Sequence, residues 1–197
     1  MASEKTPAND TEQGESLKGK VLIAMPGMAD PRFDKAVLIV LEHNAEGSMA
    51  VIVNKPLDAV HFDDLLDQLD IPHDKDALKD YPVYFGGPVD IGRGFVIHST
   101  DFMLAHSVDL APLAVTTSVD MLERIAAGQG PKESLFCIGY AGWTAGQLDD
   151  EIVDNAWLHA PLDPALLFSL PFEKRWEAAM ALAGVNPDFL SSETGHA

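Results

Sequence analysis

The stretch Ala36-Val-Leu-Ile-Val-Leu-Glu-His-Asn-Ala-Glu-Gly-Ser-Met-Ala-Val-Ile-Val53 decides the fold class. Its ends, Ala36 to Leu41 and Met49 to Val53, are continuous apolar runs rich in branched residues, the composition that packs on a pleated surface. Between them Glu42-His-Asn-Ala-Glu-Gly47 is polar and ends in a glycine suited to positive φ. The pair therefore reads as an antiparallel hairpin with a slightly long loop. Pro56, with no N–H to give a ladder, stops the second strand.

Working outward, Gly19 to Ala24 is a short strand ended by Met25-Pro-Gly27. Phe62, Leu65, Leu66 and Leu69 recur at helical spacing and predict a short amphipathic helix over 61–69. A polar connection from Pro72 to Asp80 leads to the strand Val83-Tyr-Phe85. The glycine-rich turn Gly86 to Gly92 then leads to a strand over 93–98, and the two read as a second hairpin. Leu113 to Thr116 is a strand, and the helix after it carries Val119, Leu122, Ile125 and Ala126 on one face. Thr117 and Asp120 have capping-box spacing, and Gly128 suits the position just past the helix end. Ser134 to Ile138 reads as a central strand, 147–153 as a short helix and 156–159 as a short strand. Residues 161–170 read as a loop with one helical turn after Pro164, and 172–183 as a final helix ending at Gly184. Strands cluster without a regular βαβ beat. That pattern predicts an α+β fold, mainly antiparallel, in a single domain.

The 197 residues are 47% hydrophobic, enough for one sizeable core. Residues 1–16 read as a disordered tail, being almost free of apolar side chains, and 17–197 as the folded domain. The charge is −18, from 31 acidic against 13 basic residues, and no segment gathers the basic ones. A duplex contact needs a basic face that releases phosphate counterions, so direct nucleic-acid binding is disfavoured. The lone Cys137 sits in an apolar run, which excludes an intrachain disulfide and fits a reducing compartment. No apolar leader and no run long enough for a membrane span is present, which predicts a cytoplasmic protein.

One run stands out for chemistry: Gly139-Tyr-Ala-Gly-Trp-Thr-Ala-Gly-Gln-Leu-Asp-Asp-Glu-Ile152, read as a junction between a buried strand and an acidic helix. Tyr140 and Trp143 offer rigid faces with polar tips, and Gln147 offers an amide, as a ligand or partner site would need. The same aromatics could instead plug the end of a sheet while the glycines absorb positive φ. Arg93, between two glycines, is a candidate anion-facing guanidinium, with pairing to Asp90 or Glu42 as the alternative. The glycines of 86–94 lead into a strand rather than a helix, which argues against a nucleotide loop. The histidines at 43, 61, 73, 98, 106, 159 and 196 show no metal-ligand spacing, so no metal or cofactor is expected. There is no nucleophile elbow, and Cys137 reads as a core thiol. Asp149, Asp150, Glu151 and Asp154 read as a solvated acidic face favoured by the helix dipole, with Asp150 and Asp154 on one side.

Several segments together resemble the AlgH/YqgE family of bacterial proteins, over residues 17–197. They are Ala24-Met-Pro-Gly-Met-Ala-Asp-Pro-Arg-Phe33, Glu42-His-Asn44 with Gly47, Val53-Asn-Lys-Pro56, and Val83-Tyr-Phe-Gly-Gly-Pro-Val89 with Arg93-Gly-Phe-Val-Ile-His98. Thr116-Thr-Ser-Val-Asp120, Gly139-Tyr-Ala-Gly-Trp143 with Gly146-Gln-Leu148, and Asn155-Ala-Trp157 complete the set. The resemblance implies a compact α+β fold with a β-barrel-like sheet flanked by short helices. The family carries a transcriptional-regulator label that names no reaction. Lys35 and Lys55 stand where relatives commonly have Arg, which removes a planar fork from any anion site there. Neither candidate recognition helix is basic: Arg124 is the one fixed cation in 61–69 and 119–127.

Two function classes follow. The first is a non-catalytic binding or regulatory protein that holds a small molecule or a protein segment through Asn54, Arg93, His98, Tyr140, Trp143 and Gln147. The second is an enzyme with an unfamiliar small-molecule site near His98, Arg93 and Trp143, with Asp101 or His43 as further candidates.

Overall fold

In a computed structural model the described residues are 16–186, so the expected tail, apart from Ser16, lies outside them. The strands are β1 (Lys20–Ala24), β2 (Val37–Asn44), β3 (Gly47–Ile52), β4 (Val83–Phe85), β5 (Val89–Ser99), β6 (Val108–Asp109), β7 (Leu113–Thr116), β8 (Ser134–Thr144) and β9 (Trp157–Pro161). They form a sheet in the order β6-β7-β5-β8-β3-β2-β1-β9, with β4 also on β8. The sheet curls into a half-barrel. Every strand pair is antiparallel except β4 with β8. The helices are α1 (Phe62–Gln68), α2 (Lys75–Leu78), α3 (Val119–Ala126), α4 (Gln147–Val153), α5 (Pro164–Phe168) and α6 (Arg175–Leu182).

The continuous apolar runs of β1, β2 and β3 have a simple cause: both faces of the sheet are covered there. Side chains alternate across a strand, so Val21, Ile23, Val37 and Ile39 pack with Trp176, Ala179 and Met180 of α6. Leu22, Ala24, Leu38 and Val40 point the other way, toward Trp143, Leu148 and Trp157. A third core lies under α1 and α3, where Phe62, Leu66, Met121 and Leu122 meet Val96 and Phe136.

The β2–β3 hairpin forms as expected, but its loop is shorter than the sequence suggests: Asn44 pairs with Gly47 across Ala45 and Glu46 alone. The second expected hairpin does not. β8 inserts between β4 and β5, so Phe136 lies opposite Val83 on one side and Val96 on the other. The glycine run is also not a junction loop. β8 continues through Gly139, Tyr140 and Trp143 to Thr144, and its second half pairs with β3. What permits this is a backbone crossing. A Cβ built on Gly139 would stand 2.4 Å from the Gly87 carbonyl oxygen, and one on Gly87 only 2.1 Å from the Tyr140 carbonyl carbon. Two smaller expectations also change. Ser118, not Thr117, caps α3 by accepting the Asp120 N–H at 3.1 Å, and the polar connection at 72–80 contains α2, capped by Asp74.

Candidate functional site

Three of the marked segments meet on the face of the sheet opposite α6. The first is the loop after β1. Asp30 accepts the backbone N–H of Arg32 at 3.0 Å and opens a single 3-10 turn over Pro31–Phe33, where the fixed φ of Pro31 suits the first position. The same carboxylate takes the Arg32 guanidinium in a two-point pair, with an Nη2 to Oδ2 distance of 2.6 Å. Phe33 then lies edge-on to Trp157, with ring centres 5.6 Å apart. The second segment is the end of β8 with α4, which brings Trp143 and Gln147. The third is the start of β9, which brings Trp157.

These segments converge on Glu151. Its Oε2 accepts the indole N–H of Trp143 at 2.9 Å and that of Trp157 at 2.7 Å. Its Oε1 accepts the amide of Gln147 at 2.9 Å, one helical turn earlier on α4. Gln147 is oriented in turn because its carbonyl oxygen accepts both the backbone N–H of Thr144, at 3.0 Å, and its hydroxyl, at 3.2 Å. The two indoles meet edge to face, 5.8 Å apart, and both are buried. Above this network opens a cleft of about 640 Å³. Its apolar wall includes Met25, Met28, Phe33 and Val89, and its ionisable groups are Asp30, Arg32, Glu151 and Asp154.

Of the residues singled out in the sequence, the structure brings Trp143 and Gln147 to this cleft, sets Tyr140 beside the same two in an adjoining groove, and places Asn54, Arg93 and His98 elsewhere. Asn54 accepts the Val37 N–H at 2.8 Å and donates to the Lys35 carbonyl at 2.9 Å, which braces the positive-φ backbone of Lys35. Arg93 is exposed and lies over the Phe95 ring at 5.1 Å. It makes no ion pair with Asp90 or Glu42. Tyr140 packs against Phe95, 6.1 Å between ring centres, and lines an adjoining groove with Asn44, Met49, Trp143 and Gln147. His98 is fully buried, with its ring nitrogens 2.9 Å from the Ser99 carbonyl and 2.9 Å from the Thr116 hydroxyl. Burial lowers its pKa, because the charged ring would lose its hydration.

The remaining candidates for chemistry are also engaged in structure. Asp101 is held below the ordinary carboxylate range first by the Ser99 hydroxyl and then by the Lys132 N–H. His43 receives the Leu17 N–H at 2.9 Å and so straps the start of the described chain to β2. Burial pushes the Cys137 thiol far up, and it rests 3.4 Å from the Ile52 carbonyl. Among the described residues no group of three or more His, Cys, Asp or Glu could hold a metal ion, and no helix is long and apolar enough to cross a membrane.

Sequence reasoning missed Glu151 as the centre, Trp157 as its second indole donor, and the Asp30–Arg32 pair. A signal existed for the first. Glu151 stands four residues after Gln147, the spacing that stacks two side chains on one helix face.

Comparison with known proteins matches this chain to the AlgH-like family DUF179 over residues 21–188. A UPF0301 protein of Jannaschia sp. (strain CCS1) is 48% identical over 184 residues, covering 92% of this chain and 95% of its own. The solution structure of the AlgH protein from Pseudomonas aeruginosa is 43% identical, covers both chains fully and superposes with a TM-score of 0.75. A crystal structure of a Corynebacterium diphtheriae protein shares the fold at 22% identity, with a TM-score of 0.66 over 86% of this chain and 88% of its own. The chain belongs to the AlgH-like family.

Proposed function

We propose that this AlgH-like protein is a non-catalytic binding protein whose ligand site is the cleft over Glu151. The observation that carries the reading is the Glu151 network. Two indoles and an amide fix one carboxylate at the foot of a cleft with apolar walls, which is the make-up of a recognition site: mostly apolar lining with a few placed polar groups. The volume of about 640 Å³ suits a small metabolite or a few residues of a peptide. Among the described lining residues there is no Ser, Thr, Cys, His, Lys or Tyr. The groups able to attack a substrate or shuttle a proton are therefore carboxylates, and Glu151 is already engaged by three donors. This supports binding over turnover. A regulatory role would act through a protein or metabolite rather than through DNA, since α1 carries no basic residue and α3 only Arg124. The lone buried thiol supports placement in the cytoplasm.

The test is a thermal-shift screen of the full chain, as wild type and as Trp143→Phe, against metabolites and short peptides. A ligand that raises the wild-type melting temperature by several degrees and loses most of that effect in the variant supports the site. A ligand that stabilises both equally places binding elsewhere.

A further inference from the structure

The charges of the cleft are not balanced. Arg32 is taken up by Asp30, which leaves Glu151 and Asp154 as two carboxylates with no cation paired to either among the described residues. Every partner of Glu151 is a neutral donor, so its negative charge is held in place but not neutralised. The helix dipole does not account for these two groups. Asp149 and Asp150 sit in the first turn of α4, where it favours a carboxylate, but Glu151 lies in the C-terminal half and Asp154 is the residue that ends the helix. No hydrogen bond to the Asp154 carboxylate forms among the described residues, and the side chain is exposed at the rim of the cleft. A chain of charge −18 would further concentrate cations at such a site.

Hydrogen-bond capacity narrows the ligand. A carboxylate offers about four acceptor positions, two on each oxygen. The two indoles fill Oε2, whereas Oε1 takes only the Gln147 amide, which leaves one position open. A guanidinium binds a carboxylate best as a fork across both oxygens, and that geometry is blocked here. A compact ammonium needs one acceptor. Its alkyl stem would lie along Met25, Met28 and Phe33, since thioethers adapt readily to such a chain.

We infer that the cleft recognises an alkylammonium group, carried either by a lysine side chain of a peptide or by a free amine. This rests on the reading of the cleft as a binding site. The experiment follows the indole N–H resonances of the 15N-labelled full chain, with those of Trp143 and Trp157 assigned by Trp→Phe substitution. The probes are the capped tripeptide Gly-Lys-Gly, its arginine and norleucine analogues, and n-butylammonium.

The lysine peptide should move both resonances saturably and bind roughly ten- to a hundred-fold tighter than the norleucine analogue, the range of one charge-assisted hydrogen bond. The arginine analogue should be the weaker of the two cations. Equal binding by n-butylammonium would identify the free amine as the source, and preference for the peptide would identify a protein segment. Asp154→Asn should weaken binding roughly two- to five-fold, as for an exposed charge pair. It should leave the indole resonances of the free protein in place, because Asp154 takes no part in the Glu151 network. Equal binding of the norleucine peptide, or tighter binding of arginine, overturns the inference while the cleft remains a binding site. No movement with any probe also overturns it, and the thermal-shift screen then decides the broader reading.

Discussion

Alanine placed in turn at Gly139, Gly142 and Gly146 should give three different results, because the three glycines of one run serve three different purposes. At Gly139 the backbone is left-handed, with φ at +73°, and a Cβ would meet the Gly87 carbonyl oxygen at 2.4 Å and that of Val89 at 3.1 Å. The left-handed conformation costs a non-glycine residue about 1 to 2 kcal/mol. The overlap is with backbone, so β8 or the 86–89 segment must move by more than half an ångström. That strains two bonds fixing the crossing, Gly86 N–H to the Ile138 carbonyl at 2.7 Å and Ile52 N–H to the Gly86 carbonyl at 2.8 Å. A buried group left unsatisfied costs about 1 to 3 kcal/mol, so Gly139→Ala should lose about 2 to 5 kcal/mol.

At Gly146 φ is +74° but nothing lies within 4 Å of a built Cβ. Only the conformational cost applies, partly offset by the reduced freedom of the unfolded chain, for a net loss of about 1 kcal/mol. Gly142 has ordinary φ and would meet only the Tyr140 ring, at 3.5 Å. Glycine inside a strand carries an entropic penalty of about 0.5 to 1 kcal/mol relative to alanine, so Gly142→Ala should be neutral or slightly stabilising. Urea unfolding followed by tryptophan fluorescence reads the series directly. With an m-value of about 2 kcal/mol/M, the midpoint should fall by about 1 to 2.5 M for Gly139→Ala and about 0.5 M for Gly146→Ala. Equal midpoints for the two variants would refute the crossing as the reason for Gly139.

The buried Arg175 donates to the carbonyls of Val53, Leu167 and Leu170 and lies 5.1 Å from the Tyr84 ring, so Arg175→Met strands three acceptors and should cost about 3 kcal/mol in urea unfolding. Arg175→Lys should recover only part of that, since one ammonium cannot span three divergent carbonyls. Trp157→Phe and Trp143→Phe each delete one bond to Glu151 and should cost about 1 to 2 kcal/mol in the partly exposed setting. A double-mutant cycle between them should show coupling, because the two donors share one oxygen. His98 gives a pH signature. Its folded-state pKa lies below the ordinary value, so as pH falls through about 6.5 the unfolded chain takes up a proton that the folded chain refuses. Stability from this group is present at neutral pH and declines on acidification. The midpoint of His98→Gln should therefore vary less than wild type between pH 7.5 and 5.5, and an equally steep dependence in both would refute it.

How much of the fold is legible in the sequence depends on how far each decision reaches. The β2–β3 hairpin is set by neighbours: two branched apolar runs and one glycine-bearing loop. The course of β8 is not. Read alone, Gly139-Tyr-Ala-Gly-Trp143 is too rich in glycine for a strand. Its glycine at 139 is required by Gly87, some fifty residues away, and no local propensity carries that information. The expected pairing of β4 with β5 fails for the same reason. Proximity in sequence favours a hairpin, yet β8 offers each of them a ladder, and β4 shares its edge of β8 with β3. A Pro56–Tyr84 bridge and the Ile52–Gly86 bond hold β3 and β4 in that arrangement.

The candidate site divides along a similar line. An Asn, His or Arg in a marked segment looks equally available for a ligand, but a folded chain first satisfies its own buried backbone. Asn54 completes the turn at Lys35, and both ring nitrogens of His98 are spent internally, so their chemistry is used up before any ligand arrives. Glu151 is hidden by the opposite effect: among 31 acidic residues, one engaged carboxylate looks like the rest. What separates it physically is its place on α4. A carboxylate in the first turn is favoured by the exposed N–H groups, whereas one in the last turn has no such help: Asp154 stays in solvent, and the half-buried Glu151 takes its donors from outside the helix end. The two indoles supply them, and they come from β8 and β9, strands at different positions in the sheet order. The result is one negative charge held in place by neutral donors from β8, β9 and α4, with no cation paired to it among the described residues. Such a charge at the foot of an open cleft, more than the aromatic content of the run, supports the Glu151 cleft as the candidate binding site.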